Sequence, residues 1–104
     1  MNHIISLPLK NIENIIREHK ELLVLKKYPG TFNHKKDVLL LEDEETGLIY
    51  GTLRVAGTFW SNNILKLVIK FWKSIAYIDG NFLTYLHNKK GFYVFQIYSY
   101  QLYK

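Results

Sequence analysis

Ammonium groups and rings alternate between positions 20 and 36, where Lys20, Lys26, Lys27, Lys35 and Lys36 stand among Tyr28, Phe32 and His34. That mixture suits single-stranded or looped RNA: cations attract phosphate while rings stack bases, each stack contributing on the order of 1–3 kcal/mol. The plainer reading of the same residues is a solvated basic loop beside core aromatics. Trp60, next to Ser61-Asn62-Asn63, has two roles open to it. At a loop edge it sandwiches a base, or it closes the end of a core. Arg54, in the middle of an alternating segment, points either inward, where it needs a carboxylate or a ligand phosphate, or out to solvent. Lys20, Lys26, Lys27, Tyr28, Lys35, Lys36, Arg54 and Trp60 are therefore the candidate nucleic-acid-binding residues.

Other chemistries find less material. The chain has no cysteine, which excludes disulfides and thiolate metal sites. His3, His19, His34 and His87 lack metal-ligand spacing, and no metal or cofactor is expected. The acids Glu42, Asp43, Glu44 and Glu45 are adjacent, without the spaced ligands and turn glycine of a calcium loop, and read as a solvated tip. The net charge is +5, and with so many acids gathered in that one turn the rest of the chain is more basic still. Such a field favours polyanionic partners. Arg17 and Arg54 are the only arginines. Lysine is a point charge and arginine a planar fork, so the charge argues for backbone attraction more than base reading.

These residues need elements to hold them. Asp37 to Trp60 is organised as an antiparallel hairpin: an apolar run Val38–Leu41, a polar turn ending in Gly47, then period-two alternation from Leu48 to Ala56. Gly51 and Gly57 permit a bulge or bend in the second strand. His3 to Leu7 is a strand ended by Pro8, and Leu9, Ile12, Ile15 and Ile16 predict a helix over Leu9–His19. Leu22 to Leu25, four apolar residues in a row, predicts a strand buried on both faces. Ser61-Asn62-Asn63 starts a helix whose stripe includes Ile64, Leu67, Phe71, Trp72 and Ile75, with Trp72 in the core. Asp79-Gly80-Asn81 caps a short helix, Phe82–Leu86. Asn88-Lys89-Lys90-Gly91 is a turn, and Phe92 to Tyr103 alternates as a closing strand, with Tyr93, Phe95 and Ile97 on one face and Tyr98, Tyr100 and Leu102 on the other. If that strand is an uncovered edge it pairs with a second copy, giving a homodimer.

The order is α+β. It resembles the ASCH family of the PUA-like group, small antiparallel β-barrels with an N-terminal helix and one or two helices before the last strand. Three stretches carry the likeness: IISLPLKNIENIIREHKELLVL, DVLLLEDEETGLIYGTLRV and FLTYLHNKKGFYVFQIYSYQLY. The family's helix-end signature, roughly Gly-x-Lys-x-x-Glu-x-Arg, falls on Glu18, Lys20, Leu23 and Leu25, so only the lysine is kept. Family members that hydrolyse acetylated cytidine use a lysine, a threonine on the next strand and a distant glutamate. Lys20 stands for the lysine, but Glu21 to Lys27 holds no threonine or serine, and no acid occurs between Glu45 and Asp79 or after Asp79. No catalytic residue is carried over.

The length suits one domain over residues 1–104, and a composition of 48% hydrophobic and 22% charged residues supports a folded core. The N-terminus lacks signal-peptide character, and no apolar stretch reaches the ~20 residues of a membrane span, so a cytoplasmic protein with no membrane partner is expected. The expected function is a non-enzymatic RNA-binding domain with a basic, aromatic-lined cleft between the first helix and the barrel. The alternatives are a small amidohydrolase on acylated nucleosides and a module, viral or phage-borne, that docks on an acidic protein.

Overall fold

Pro8 divides the first two elements. It has no amide to donate, so strand β1 (Asn2–Leu7) stops before it, and its carbonyl accepts the first amides of helix α1 (Leu9–Arg17), from Asn11 and Ile12. The computed structural model describes residues 2–78, 80–87 and 90–103. Ile12, Ile15 and Ile16 bury one stripe of α1. The helix ends short of His19, which turns out of it with φ 49°.

Among the described residues, six strands form one curled sheet, a half-barrel in the order β1-β3-β4-β6-β2-β5. The hairpin is present as β3 (Val38–Asp43) and β4 (Ile49–Ser61), paired antiparallel. β2 (Leu22–Leu25) is buried on both faces, as its unbroken apolar run implies. It lies between β6 (Phe92–Leu102) and β5 (Ile75–Tyr77). The β1–β3 and β2–β5 pairs are parallel and the others antiparallel. Leu23, Leu39, Leu53, Val55 and Phe95 fill the concave side under α1. A second core lies on the outer face of β2 and β6, where Val24, Phe92 and Val94 pack against Ile64, Leu67 and Tyr85 of helices α2 (Ile64–Phe71) and α3 (Phe82–Leu86).

Four expectations are corrected. First, β6 does not keep strict alternation. Arg54 pairs with Ser99 and Val55 with Ile97, which leaves Tyr98 unmatched and exposed. The skipped residue switches faces, so Tyr100 and Leu102 pack on the inner core beside Tyr93. The bend uses Gly57, where a second register shift leaves Ala56 unmatched. Second, β6 lies between β4 and β2 rather than at an edge, and the described sheet ends at β1 and β5. Third, the helix after Asn63 stops at Phe71. A 3₁₀ turn (Trp72–Ser74) follows, and Ile75 enters β5 because the open side of β2 offers it backbone partners. Trp72 is consequently 68% exposed and not core. Fourth, the acidic turn is only partly a solvated tip. Asp43 is buried and accepts from the Glu45 amide at 3.2 Å and the Thr46 hydroxyl at 2.9 Å, while Glu42 accepts from the Ser6 hydroxyl.

Asn81 starts α3 with a reciprocal cap: its side chain accepts from the Leu83 amide at 2.9 Å, and its amide donates to the Thr84 hydroxyl at 3.3 Å. Asp79, Asn88 and Lys89, which the turn assignments included, lie outside the described residues. No described helix is long and apolar enough to cross a membrane.

Candidate nucleic-acid interface

The last residues of β4 run beside the first residues of β6, so Trp60 stands opposite Tyr93 and Ser61 opposite Phe92. Just before β6 the chain turns through Gly91 at φ +94°, a conformation that L side chains rarely adopt. The Trp60 indole lies directly on this glycine: a Cβ there would overlap indole Cε2, Cζ2 and Nε1. Trp60 nevertheless keeps 53% of its surface exposed. Tyr93 also pairs with Leu25, so the chain leaving β2 brings Lys26 to the same rim. Lys26, Trp60, Lys90, Gly91 and Tyr93 line one hollow of about 330 Å³. Behind it a chain of rings leads to the core. Tyr93 meets Tyr28 edge-on at 5.3 Å, Tyr28 meets Phe32, and Phe32 stacks on Phe95 at 5.2 Å. The Tyr28 hydroxyl donates to the Phe32 carbonyl at 2.8 Å. Tyr28 thus supports the rim and is not an open stacking face.

The other candidates fall elsewhere. Lys20 lines a hollow of about 230 Å³ between α1 and β5, with Asn11, Asn14, Tyr77 and Asn81. Lys27 lines a third, of about 250 Å³, bounded by Ile4, Ile5 and Ser6 of β1 and by Leu25, Pro29 and Ile78. Lys26 and Lys27 are adjacent, yet they turn to different hollows as the chain bends out of β2. Lys35 and Lys36 are exposed on the loop before β3. Its shape is held by buried Asp37, which accepts from the Asn33 amide at 2.8 Å and meets His3 Nε2 at 3.2 Å. Arg54 is on the outer face of β4 opposite Ser99, facing solvent. The expected cleft is therefore divided: Lys26, Tyr28 and Trp60 come together, while Lys20, Lys27 and Arg54 do not join them. Lys90, Gly91 and Tyr93 were missed. Their local signal was the Lys-Gly turn before the closing strand, but its meaning depended on Trp60 arriving from another strand.

The whole backbone resembles solved structures. The ASCH protein from Zymomonas mobilis superposes with a TM-score of 0.71 at 10% identity, covering 97% of this chain and 69% of that one. Two point mutants of the same protein give TM-scores of 0.72 and 0.71, also at 10% identity and 97% of this chain, covering 70% and 71% of theirs. The fold is ASCH-type. No protein-family model matches the sequence, and no curated protein matches it. At this identity the likeness is one of backbone, and the chemistry of this ASCH-type fold rests on its own side chains.

In this ASCH-type fold the lysine at the end of α1 has definite partners. Lys20 Nζ donates to the Lys73 carbonyl at 2.6 Å and lies 3.2 Å from the Glu18 carboxylate. Its own carbonyl accepts from the Tyr100 hydroxyl. Burial, with the Glu21 charge adding to it, raises the Tyr100 pKa, and burial likewise raises that of Tyr77, so both phenols stay protonated donors at neutral pH. The described residues lining the Lys20 hollow offer amides, a phenol and an ammonium, but no serine, threonine, carboxylate or imidazole. Two of the histidines pack on rings: His3 edge-on to Phe32 at 5.4 Å and His19 edge-on to Tyr100 at 5.2 Å. No metal-binding group of His, Cys, Asp or Glu occurs among the described residues.

Proposed function

We propose that this protein binds single-stranded RNA at the hollow around Trp60. The observation that carries the reading is the indole itself, half exposed, set on a glycine and placed with Lys26 and Lys90 around one hollow. A base stacks on the free part of the ring, and the two ammonium groups attract the phosphates on either side. The ring rests on Gly91 before any ligand arrives, which reduces the side-chain entropy lost on binding. The overall positive charge adds a longer-range attraction that salt screens.

Fluorescence anisotropy with a labelled uridine oligomer tests this. Trp60→Ala is expected to weaken binding roughly tenfold, the lower part of the range for losing one stacked base. Reversing both rim charges, Lys26→Glu with Lys90→Glu, is expected to weaken it further. It should also make the dependence of log affinity on log salt shallower, by about 0.7 for each lost phosphate contact. Full binding by both variants would remove the ligand from this hollow.

A further inference from the structure

We infer that the outer flank of α2, continued by Trp72, docks reversibly on an anionic membrane surface. This does not rest on the nucleic-acid reading and uses a different face. Helix α2 buries Ile64 and Leu67, with Val68 and Phe71 half-buried beside them. Its flank should then be polar, yet Leu65 is 49%, Ile69 83% and Trp72 68% exposed. A helix that is apolar on both its buried and its open sides has one contact still unmade.

The lysines say what that contact is. Lys66, Lys70 and Lys73 each follow one of these apolar residues, and all are exposed. Within the helix one residue is about 100° of rotation. When Leu65 and Ile69 point into a bilayer, Lys66 and Lys70 therefore lie near the level of the helix axis. That is the depth of the headgroups, and their stems lie along the apolar boundary. Trp72, exposed just past the helix end beside Val68 and Phe82, adds a tryptophan, which favours that boundary. Residues 64–74 carry no carboxylate to weaken the attraction to anionic headgroups, and the acids that the fold brings beside them, Glu18 and Glu21, stand at the Lys73–Ser74 end, beyond Leu65 and Ile69.

Other occupants fit less well. A second copy docked face to face would cover Leu65 and Ile69 but would bring no anionic partner to Lys66 and Lys70. A nucleic acid gains nothing from Leu65 and Ile69, which neither stack nor hydrogen-bond. A rigid protein would need a groove matching side chains that protrude as far as Ile69, whereas fluid lipid receives them without one. The absence of a spanning helix bears on crossing a bilayer and not on lying against it.

The test is flotation of the full chain with phosphatidylcholine vesicles, with and without about one-third phosphatidylserine. The Trp60→Phe background makes Trp72 the sole tryptophan. The expected result is at least tenfold stronger association with the phosphatidylserine vesicles, with a blue shift of Trp72 emission. Adding Ile69→Glu should abolish the shift and cut association at least tenfold, with an unchanged circular dichroism spectrum and melting midpoint. Absence of association overturns the inference. So does association without a blue shift and indifferent to Ile69→Glu, which is the general attraction of a basic protein. A designed acidic amphipathic peptide that binds this face while vesicles do not would reassign it to a protein partner.

Discussion

Trp60 is positioned by what lies beneath it. Gly91 supplies both the positive φ and the missing Cβ on which the indole rests. Gly91→Ala puts a methyl group where the ring is and strains the turn, so the stability loss should exceed about 1 kcal/mol. The ring must also move, so uridine-oligomer affinity should fall toward that of Trp60→Ala. Urea unfolding and anisotropy on the same variant check both effects. An unaltered affinity with lowered stability would mean that the ring's seat does not matter for binding. Gly51 shows a similar logic without a ligand: an added Cβ would press on the end of the Ile16 side chain, which must then shift, and would crowd the Gln101 carbonyl.

At the scale of elements, the second core is what carries α2 and α3. Tyr85 of α3 is buried against Phe92, edge-on at 5.4 Å, and its hydroxyl donates to the Val24 carbonyl at 2.8 Å. That carbonyl also accepts from the Ile78 amide at 3.1 Å. Tyr85→Phe keeps the ring and leaves the carbonyl one partner, so thermal unfolding should report a loss of about 1 kcal/mol with the fold unchanged. A loss several times larger would show that the hydroxyl holds α3 on the sheet. The periodicity that predicts α2 is genuine, but it extends past the helix. Trp72 adopts φ 32° at the helix end, and Ile75 is claimed by the open side of β2.

For the molecule as a whole, the loop from Asn33 to Asp37 is tied to β1 by one carboxylate. The Asn33 amide is the main cause holding Asp37 below its usual pKa, against the opposing effect of burial, and His3 adds to it. A carboxylate whose pKa is lower folded than unfolded stabilises the fold above its unfolded value, and that stability is lost as pH falls through the folded value. Urea midpoints should therefore fall as the pH drops below about 4. Asp37→Asn should be less stable than the parent at pH 7 and should show a flatter acid slope. An equal slope in both proteins would assign the acid sensitivity to other carboxylates.

Local patterning alone determined most of the elements. Pro8 divides β1 from α1, four apolar residues in succession mark the doubly buried β2, and the Asp37–Trp60 stretch reads as a hairpin, because side-chain alternation and turn chemistry act between near neighbours. The gathering of site residues was decided by the tertiary structure. Lys26, Trp60 and Lys90 come from three separate stretches that meet only because β4, β6 and β2 lie side by side. One unmatched residue at Tyr98 is enough to reverse the faces beyond it. The exposure of Trp72 and the divergence of Lys26 from Lys27 have the same origin: a side chain's surroundings depend on long-range pairing and on where the chain bends, neither of which is written in the spacing of adjacent residues.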